Sequence, residues 1–331
     1  MLKISFLAIS FLVLGTSEAI SQNFKVKLDT LNFGYKEGPY LTVPKNLFDE
    51  VLISKYVGLD KIGSFPLKRR NKSFELDLTL RKPQFIQIVN AEILAIPNQY
   101  VNGIIDNTEI ISIRDSNNIN YFFMNLRKNI TSIRVEINKD MRQREFLLLY
   151  DSMKKLITDQ LKFISQPQNR KKYNIDFWVI SYLKHYFMTE LGNFLYYSTW
   201  FKNDFDINTY EKCIKDIKLT NPKILLEIKM GTTFLQRHFF YYSLPANNYD
   251  LEKTLNADPF FKDNDVKKYL GYRYFSHLYA DKDIQTKIKD FDTAYKVFRK
   301  SYTFSEDEEL ALKKLEYRIR ENKYSILSFY Y

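Results

Sequence analysis

Two periods divide the chain. From residue 23 to about residue 126 apolar and polar positions alternate or fall into short apolar runs, and beyond about residue 140 apolar positions recur every three or four residues. The alternation in Phe24-Lys-Val-Lys-Leu28 and in Phe74-Glu-Leu-Asp-Leu-Thr-Leu80 puts every second side chain on one face, the mark of strands with one buried side. After Pro83 come Phe85, Ile86, Ile88 and Val89, then Ile93, Leu94 and Ile96, stopped by Pro97 and Asn98. Ile104 and Ile105, then Ile110 to Ile113, then Tyr121 to Phe123 continue the series, separated by Asp106-Asn107 and Asp115-Ser-Asn-Asn118. Short strands between turn clusters predict an antiparallel β-sandwich. Gly38-Pro39 and Pro44 interrupt the pattern between residues 36 and 65, where an edge strand and a short helical turn are expected.

The second half has the helical period. Phe146, Leu149, Tyr150, Met153, Leu156, Ile157 and Leu161 form a long stripe that ends before Pro167, and residues 166–172 read as a polar, basic loop. Residues 173–201 are nearly all apolar, but Asp176, Lys184, His185 and Glu190 interrupt them, so a core helix is expected rather than a membrane span. Asn221-Pro222 starts another helix toward Ser243, with Leu244-Pro245 as its stop; shorter helices follow at about 249–257, 263–281 and 284–300. Ser305-Glu-Asp-Glu308 has the spacing of a capping box and opens a final helix to about residue 323. The second half is thus a bundle of about seven helices.

A family resemblance rests on three short motifs. Phe74-Glu-Leu76, Pro83-Gln-Phe-Ile86 and Ile93-Leu-Ala-Ile-Pro97, in that order and followed by helices, resemble the N-terminal half of exported thioredoxin-like proteins (the thiol-disulfide oxidoreductase family) of Bacteroidetes-type bacteria. The resemblance covers residues 23 to about 200 and implies a scaffold built from packing motifs. Such enzymes end in a thioredoxin domain with a Trp-Cys-x-x-Cys motif, whereas this chain has no Cys-x-x-Cys and its last 130 or so residues keep a helical pattern. No catalytic residue of that family has a counterpart here. A disulfide oxidoreductase acting alone is excluded on chemistry.

The first residues predict an address. Lys3 precedes an apolar stretch from Ile4 to Leu14, followed by Gly15, Thr16 and Ser17, with cleavage expected after Ala19 or Ser21. That segment is too short to span a bilayer and has the form of a secretory signal. No Cys follows it to carry a lipid anchor. Residues 1–21 hold one Lys and one Glu, so the formal net charge of +11 survives their removal. A basic balance favours polyanionic partners, but Lys, Asn, Ile, Tyr and Phe also share AT-rich codons, and genome composition accounts for the excess. Export makes nucleic acid an improbable partner. Aromatics at 16% and only nine Gly and nine Pro argue for a folded, helix-rich chain. The single cysteine, Cys213, allows no internal disulfide, and Tyr210, Cys213, Ile214 and Ile217 place it on a buried helical stripe.

Chemistry-bearing motifs are sparse. The three histidines, His185, His238 and His277, each stand alone in an aromatic segment without a second ligand at metal-binding spacing. Ser276-His277 is adjacency, not triad geometry, and neither a Gly-x-Ser-x-Gly elbow nor a Gly-rich phosphate loop occurs. Asp204 with Asp206 and Asp263 with Asp265 are the candidate carboxylate pairs, read as helix caps. Asp263-Asn-Asp265 has neither the Gly nor the distal Glu of a calcium loop. The remaining candidates are Arg237-His-Phe-Phe-Tyr-Tyr242 and Tyr269-Leu-Gly-Tyr-Arg-Tyr-Phe275, which interleave cations with aromatic rings. Arg237, Tyr272 and Arg273 are the expected exposed, partner-binding members.

The expectation is therefore an α+β protein: a signal peptide over residues 1–21, an N-terminal antiparallel β-sandwich over 22–130 and an α-helical bundle over 140–331. The expected function is that of an exported, non-catalytic binding or scaffold module of the periplasm or cell exterior, without cofactor or metal. Its partner is a protein or a glycan. The alternatives are an accessory partner of a separate thioredoxin-like redox enzyme and a hydrolase with a distributed site.

Overall fold

The computed structural model describes residues 22–30, 40–42, 64–66, 68–70, 73–80, 82–88, 91–106, 109–137, 141–197, 207–280 and 291–327. The expected signal segment, the Asp204–Asp206 pair and most of residues 36–65, where a short helical turn is expected, lie outside them. Two small sheets come first and helices follow, which makes the protein mixed α+β as the two periods imply.

The strands are β1 (Gln22–Thr30), β2 (Tyr40–Thr42), β3 (Ser64–Pro66), β4 (Lys68–Arg70), β5 (Ser73–Leu80), β6 (Gln84–Ile88), β7 (Ala91–Ala95), β8 (Tyr100–Asp106) and β9 (Glu109–Ile113). One sheet has the order β4-β5-β1-β8-β9 and the other β3-β2-β6-β7. Among the described strands all pairs are antiparallel but one: β1 and β8 run parallel, with Val26 beside Val101, which corrects the purely antiparallel expectation. Alternation predicts faces within a strand and carries no information about which strand lies beside it. Phe24 and Val26 of β1 and Leu78 and Leu80 of β5 are buried, while Lys25 between the first two and Asp77 next to Leu78 are exposed and ion-paired, as period-two burial requires. In the second sheet Phe85 and Leu94 point into the helical core, and Ile86 and Ile93 on the opposite face are also fully buried. That is the burial of a sheet covered on both faces, one of them by the helices. β3 is the expected edge strand between residues 36 and 65, whereas β2 sits inside its sheet.

The helices are α1 (Ile119–Val135), α2 (Gln143–Ser165), α3 (Pro167–Tyr173), α4 (Phe177–Tyr196), α5 (Ile207–Ile214), α6 (Lys229–His238), α7 (Leu251–Ala257), α8 (Asn264–Ala280), α9 (Phe291–Ser301) and α10 (Glu306–Leu327), with 3-10 turns at Pro222–Glu227 and Pro259–Phe261. None of the described helices is long and apolar enough to cross a membrane. Four expectations need correction. Tyr121 to Phe123 is the first turn of α1 and not a strand, because Asn118 caps the helix through its bond from the Asn120 N–H and Phe122, Phe123, Leu126 and Ile130 then share a buried face. Residues 166–172 are not a loop: Pro167 stands at the first position of α3, where its fixed φ starts a helix. The helix after Asn221 is a 3-10 turn, α6 and a π turn in succession, and Pro245 lies within the helical stretch Leu244–Ala246 rather than ending it. The helix expected from residue 249 begins at Leu251, after two residues in the left-handed region. The capping box forms as expected: the Ser305 N–H donates to Glu308 Oε2 at 2.8 Å and the Glu308 N–H to Ser305 Oγ at 3.4 Å.

Sheet and helices meet in a filled, aromatic interface. Phe85 of β6 packs against Phe123 of α1 and against Tyr182 and Tyr186 of α4, with centroids 5.1, 5.4 and 4.5 Å away. Asn120 finishes the buried outer edge of β7: its Oδ1 accepts from the Leu94 N–H at 2.7 Å and its Nδ2 donates to the Leu94 carbonyl at 2.9 Å. A side-chain amide thereby stands where a further strand would. The Tyr186 hydroxyl donates to buried Glu92 at 2.7 Å, and Arg127 lies 3.4 Å from the same carboxylate oxygen. Lys82 pairs with Glu227 at 2.7 Å, fastening the sheet to the 3-10 turn before α6.

Candidate functional site

The backbone departs from regularity twice in close succession at the corner of the helical half between α6 and α7. Between α6 and α7 the helix widens into a π turn at Phe239–Ser243, where the Leu244 N–H reaches back to the Phe239 carbonyl. Five residues later Asn248 and Tyr249 adopt φ of 55° and 62°. Asn tolerates that region; for Tyr it costs about 1–2 kcal/mol. The turn is held by the Tyr249 N–H on the Leu244 carbonyl at 2.9 Å, by Asn247 Nδ2 on the Ser243 carbonyl at 2.8 Å and by Tyr274 hydroxyl on the Tyr249 carbonyl at 3.4 Å. Asp250 then caps α7 through the Lys253 N–H. π turns and left-handed non-glycine residues are both enriched at functional sites, and here they adjoin.

Beside that turn a cavity of about 470 Å³ opens between α7, α8 and α9. Tyr249, Tyr274 and Tyr302 contribute rings, Asn247, Asn248 and Asp250 amide and carboxylate groups, and Leu255 and Phe298 an apolar floor. Its size falls within the usual range of small-molecule sites, about 300–1,000 Å³. Burial, reinforced by the charge of Asp250, raises the Tyr274 hydroxyl's pKa; burial and Glu252 do the same for Tyr302. Both stay protonated, and are donors, at any physiological pH. Gly271 of α8 admits the Phe298 ring where any Cβ would collide with it, so the cavity's back wall depends on the absence of a side chain.

Behind the π turn lies a buried hydrogen-bond chain. His238 is 1% exposed; its Nε2 is hydrogen-bonded to Asp258 Oδ2 at 2.7 Å and its Nδ1 to the Tyr210 hydroxyl at 3.0 Å. Ser243 donates to the same Asp258 oxygen at 2.6 Å, and Asp258 Oδ1 caps the following 3-10 turn through the Phe260 N–H. Burial pushes the Asp258 carboxyl up, but the donors from His238, Ser243 and Phe260 together outweigh it and hold the group below the usual carboxylate range. Serine and histidine both address the aspartate and not each other, which is the geometry of a latch rather than of a nucleophile with its base. The latch ties α6, the π turn and the α7–α8 connection together.

The candidates named from the sequence fare differently. Arg237 is half-buried, its guanidinium 4.6 Å above the Tyr196 ring and 3.3 Å from Asn193 Oδ1, and Tyr241, which stacks edge-on against Tyr196, is 65% exposed. Arg273 is half-buried and donates to Gln236 Oε1 at 3.0 Å. Tyr272 is buried, contrary to expectation, because α8 is packed on several sides and residues 269–275 are nearly all covered. Only Arg237 joins a partly exposed aromatic group. Cys213 is buried, and burial with the charges of Asp216 and Asp151 raises its thiol to about 11. His185 donates from Nδ1 to the Ser181 carbonyl at 2.6 Å and accepts the Asn221 N–H on Nε2 at 3.2 Å, a satisfied core histidine. The side chain of His277 lies outside the described residues. Asp263 caps α8, and Asp265 pairs with Lys223 at 2.6 Å and Lys268 at 3.3 Å. Among the described residues no cluster of three or more His, Cys, Asp and Glu is disposed to hold a metal.

Sequence reasoning missed Tyr249, Tyr302 and Asp258. Asn247-Asn248 was the available signal for the first, since paired Asn favours left-handed turns; Asp258-Pro259 has the form of a cap followed by a helix start. Nothing in the sequence joins Tyr302 to Tyr249. Comparison with known protein families, characterised proteins and solved structures finds no match to this chain.

Proposed function

We propose that the chain is an exported, non-catalytic binding module of the cell envelope that takes the end of a glycan into the cavity between α7, α8 and α9. The observation that carries the reading is the composition of that cavity: three tyrosine rings and a run of amide and carboxylate groups around an apolar floor. Rings cover the apolar faces of a sugar, and planar polar groups pair with its hydroxyls. The signal-like first residues and the resemblance to exported thioredoxin-like proteins support the envelope location. The filled interface between sheets and helices supports a scaffold in which binding falls to the helical corner. Access through Cys213, the alternative redox role, receives little support from a buried thiol of raised pKa.

The test is calorimetry or a glycan array with the full chain, its Tyr302→Ala variant and a Ser301→Trp variant that plugs the cavity from an exposed lining position. Binding of an oligosaccharide by the parent, weakened about tenfold by Tyr302→Ala and abolished by Ser301→Trp, is the expected result. Equal binding by all three places the ligand elsewhere and ends the reading.

A further inference from the structure

A second surface lies at the end of the bundle where α2 stops, α3 runs and α4 begins. Asn174, in the left-handed conformation at φ 48°, turns the chain between α3 and α4, and Asp176 caps α4 through the Val179 N–H. The first two residues of α4 are Phe177, 69% exposed, and Trp178, 40% exposed; Phe163 at the end of α2 is 41% exposed. Basic residues lie on the same segments: Lys162, Lys171 and Lys172 are exposed, and the Arg170 guanidinium lies 4.1 Å over the Phe177 ring, against the single exposed carboxylate of Asp176 at the helix start. The three rings stay partly exposed although Trp178 packs edge-on against Tyr182 and Phe163 stacks on Phe122. Rings and cations on one corner match an anionic bilayer, where aromatics sit at the headgroup level and Lys and Arg meet lipid phosphates.

We infer that this corner, built on Phe177 and Trp178 with Arg170 and the exposed Lys162, Lys171 and Lys172 of the adjoining helices, docks the protein peripherally on an anionic lipid surface. A second copy is a poor occupant, because four like charges would face their counterparts across a two-fold contact. The inference is independent of the glycan reading, since the two surfaces share no residue.

Vesicle co-sedimentation tests it, with the full chain and vesicles of phosphatidylcholine alone or containing about 30% phosphatidylglycerol. The chain is expected on the anionic vesicles, with a Phe177→Ser/Trp178→Ser variant at least tenfold weaker and a Lys171→Gln/Lys172→Gln variant about 30-fold weaker at low salt. All four substituted side chains are exposed, and circular dichroism checks that both variants stay folded. The chain has two tryptophans, so a Trp200→Phe variant leaves Trp178 as the sole reporter, and its emission is expected to shift to the blue on anionic vesicles. Absence of binding overturns the proposal. So does binding that survives the loss of both rings, or binding to heparin as tight as to vesicles, either of which would identify a purely electrostatic contact with a soluble polyanion.

Discussion

The interface between sheets and helices and the corner between α6 and α9 are both rich in tyrosine and phenylalanine, yet they are built to opposite ends. At the interface Phe85, Phe123, Tyr182 and Tyr186 fill the space, Asn120 closes the sheet edge and Glu92 receives both a tyrosine hydroxyl and an arginine. At the corner the rings stand around an open volume, and the backbone leaves regular geometry in two places within eleven residues, 239–249. Aromatic content alone therefore says nothing about function. What separates a core from a site is whether the backbone beside the rings is regular and the space between them is full.

The comparison breaks most visibly at its filled side. Phe123→Ala is expected to lower unfolding free energy by about 3–5 kcal/mol in denaturant titration, because a fully buried ring is removed from a packed cluster. Tyr302→Ala, at the rim of an existing cavity, is expected to cost far less, about 1 kcal/mol, while weakening ligand binding about tenfold. Equal losses would mean that the corner is core as well.

Acid distinguishes the two regions next. Burial lowers the pKa of His185, which packs in α4 behind the interface, so the unfolded chain takes up its proton first and stability falls as pH drops below about 6.5. The depressed pKa of Asp258 at the corner acts later: its contribution is intact above the unfolded carboxylate value, about 3.9, and is lost as pH falls through the folded value. Stability measured from pH 8 to 3 is expected to decline in two stages, with His185→Gln flattening the first and Asp258→Asn the second. For Cys213 the expected outcome is kinetic. With the thiol near 11, roughly one molecule in a thousand is thiolate at pH 8, so a disulfide reagent is expected to react only after denaturant is added.

Much of the scaffold was legible and little of the site was. The strands β1, β5, β6 and β7 follow from alternation and Pro punctuation, and α10 from the Ser305 box, because each of these signals is local. Tyr121 to Phe123 misled because a short apolar run fits either period, and only the Asn118 cap, read with Leu126 and Ile130, decides for the helix. Pro167 and Pro245 misled because proline starts helices and sits in widened turns as well as stopping them. The cavity was illegible in principle: Tyr249, Tyr274 and Tyr302 are brought together by the packing of α7, α8 and α9, and the Gly271 contact that sets their spacing spans 27 positions.

The smallest expected effect sharpens the strain argument. Asn248→Gly relieves a left-handed residue and is expected to raise stability by no more than about 1 kcal/mol, seen as a small increase in Tm.

Native-state hydrogen exchange, with and without the oligosaccharide that calorimetry selects, tests the account most directly. Amides of α1 and α4 are expected to exchange only through global unfolding and to be indifferent to ligand, while those from Phe239 to Leu255 open at lower free energy and gain protection when ligand binds. Protection gained at the sheet–helix interface instead, or a corner already as protected as α4 and unmoved by ligand, would contradict it.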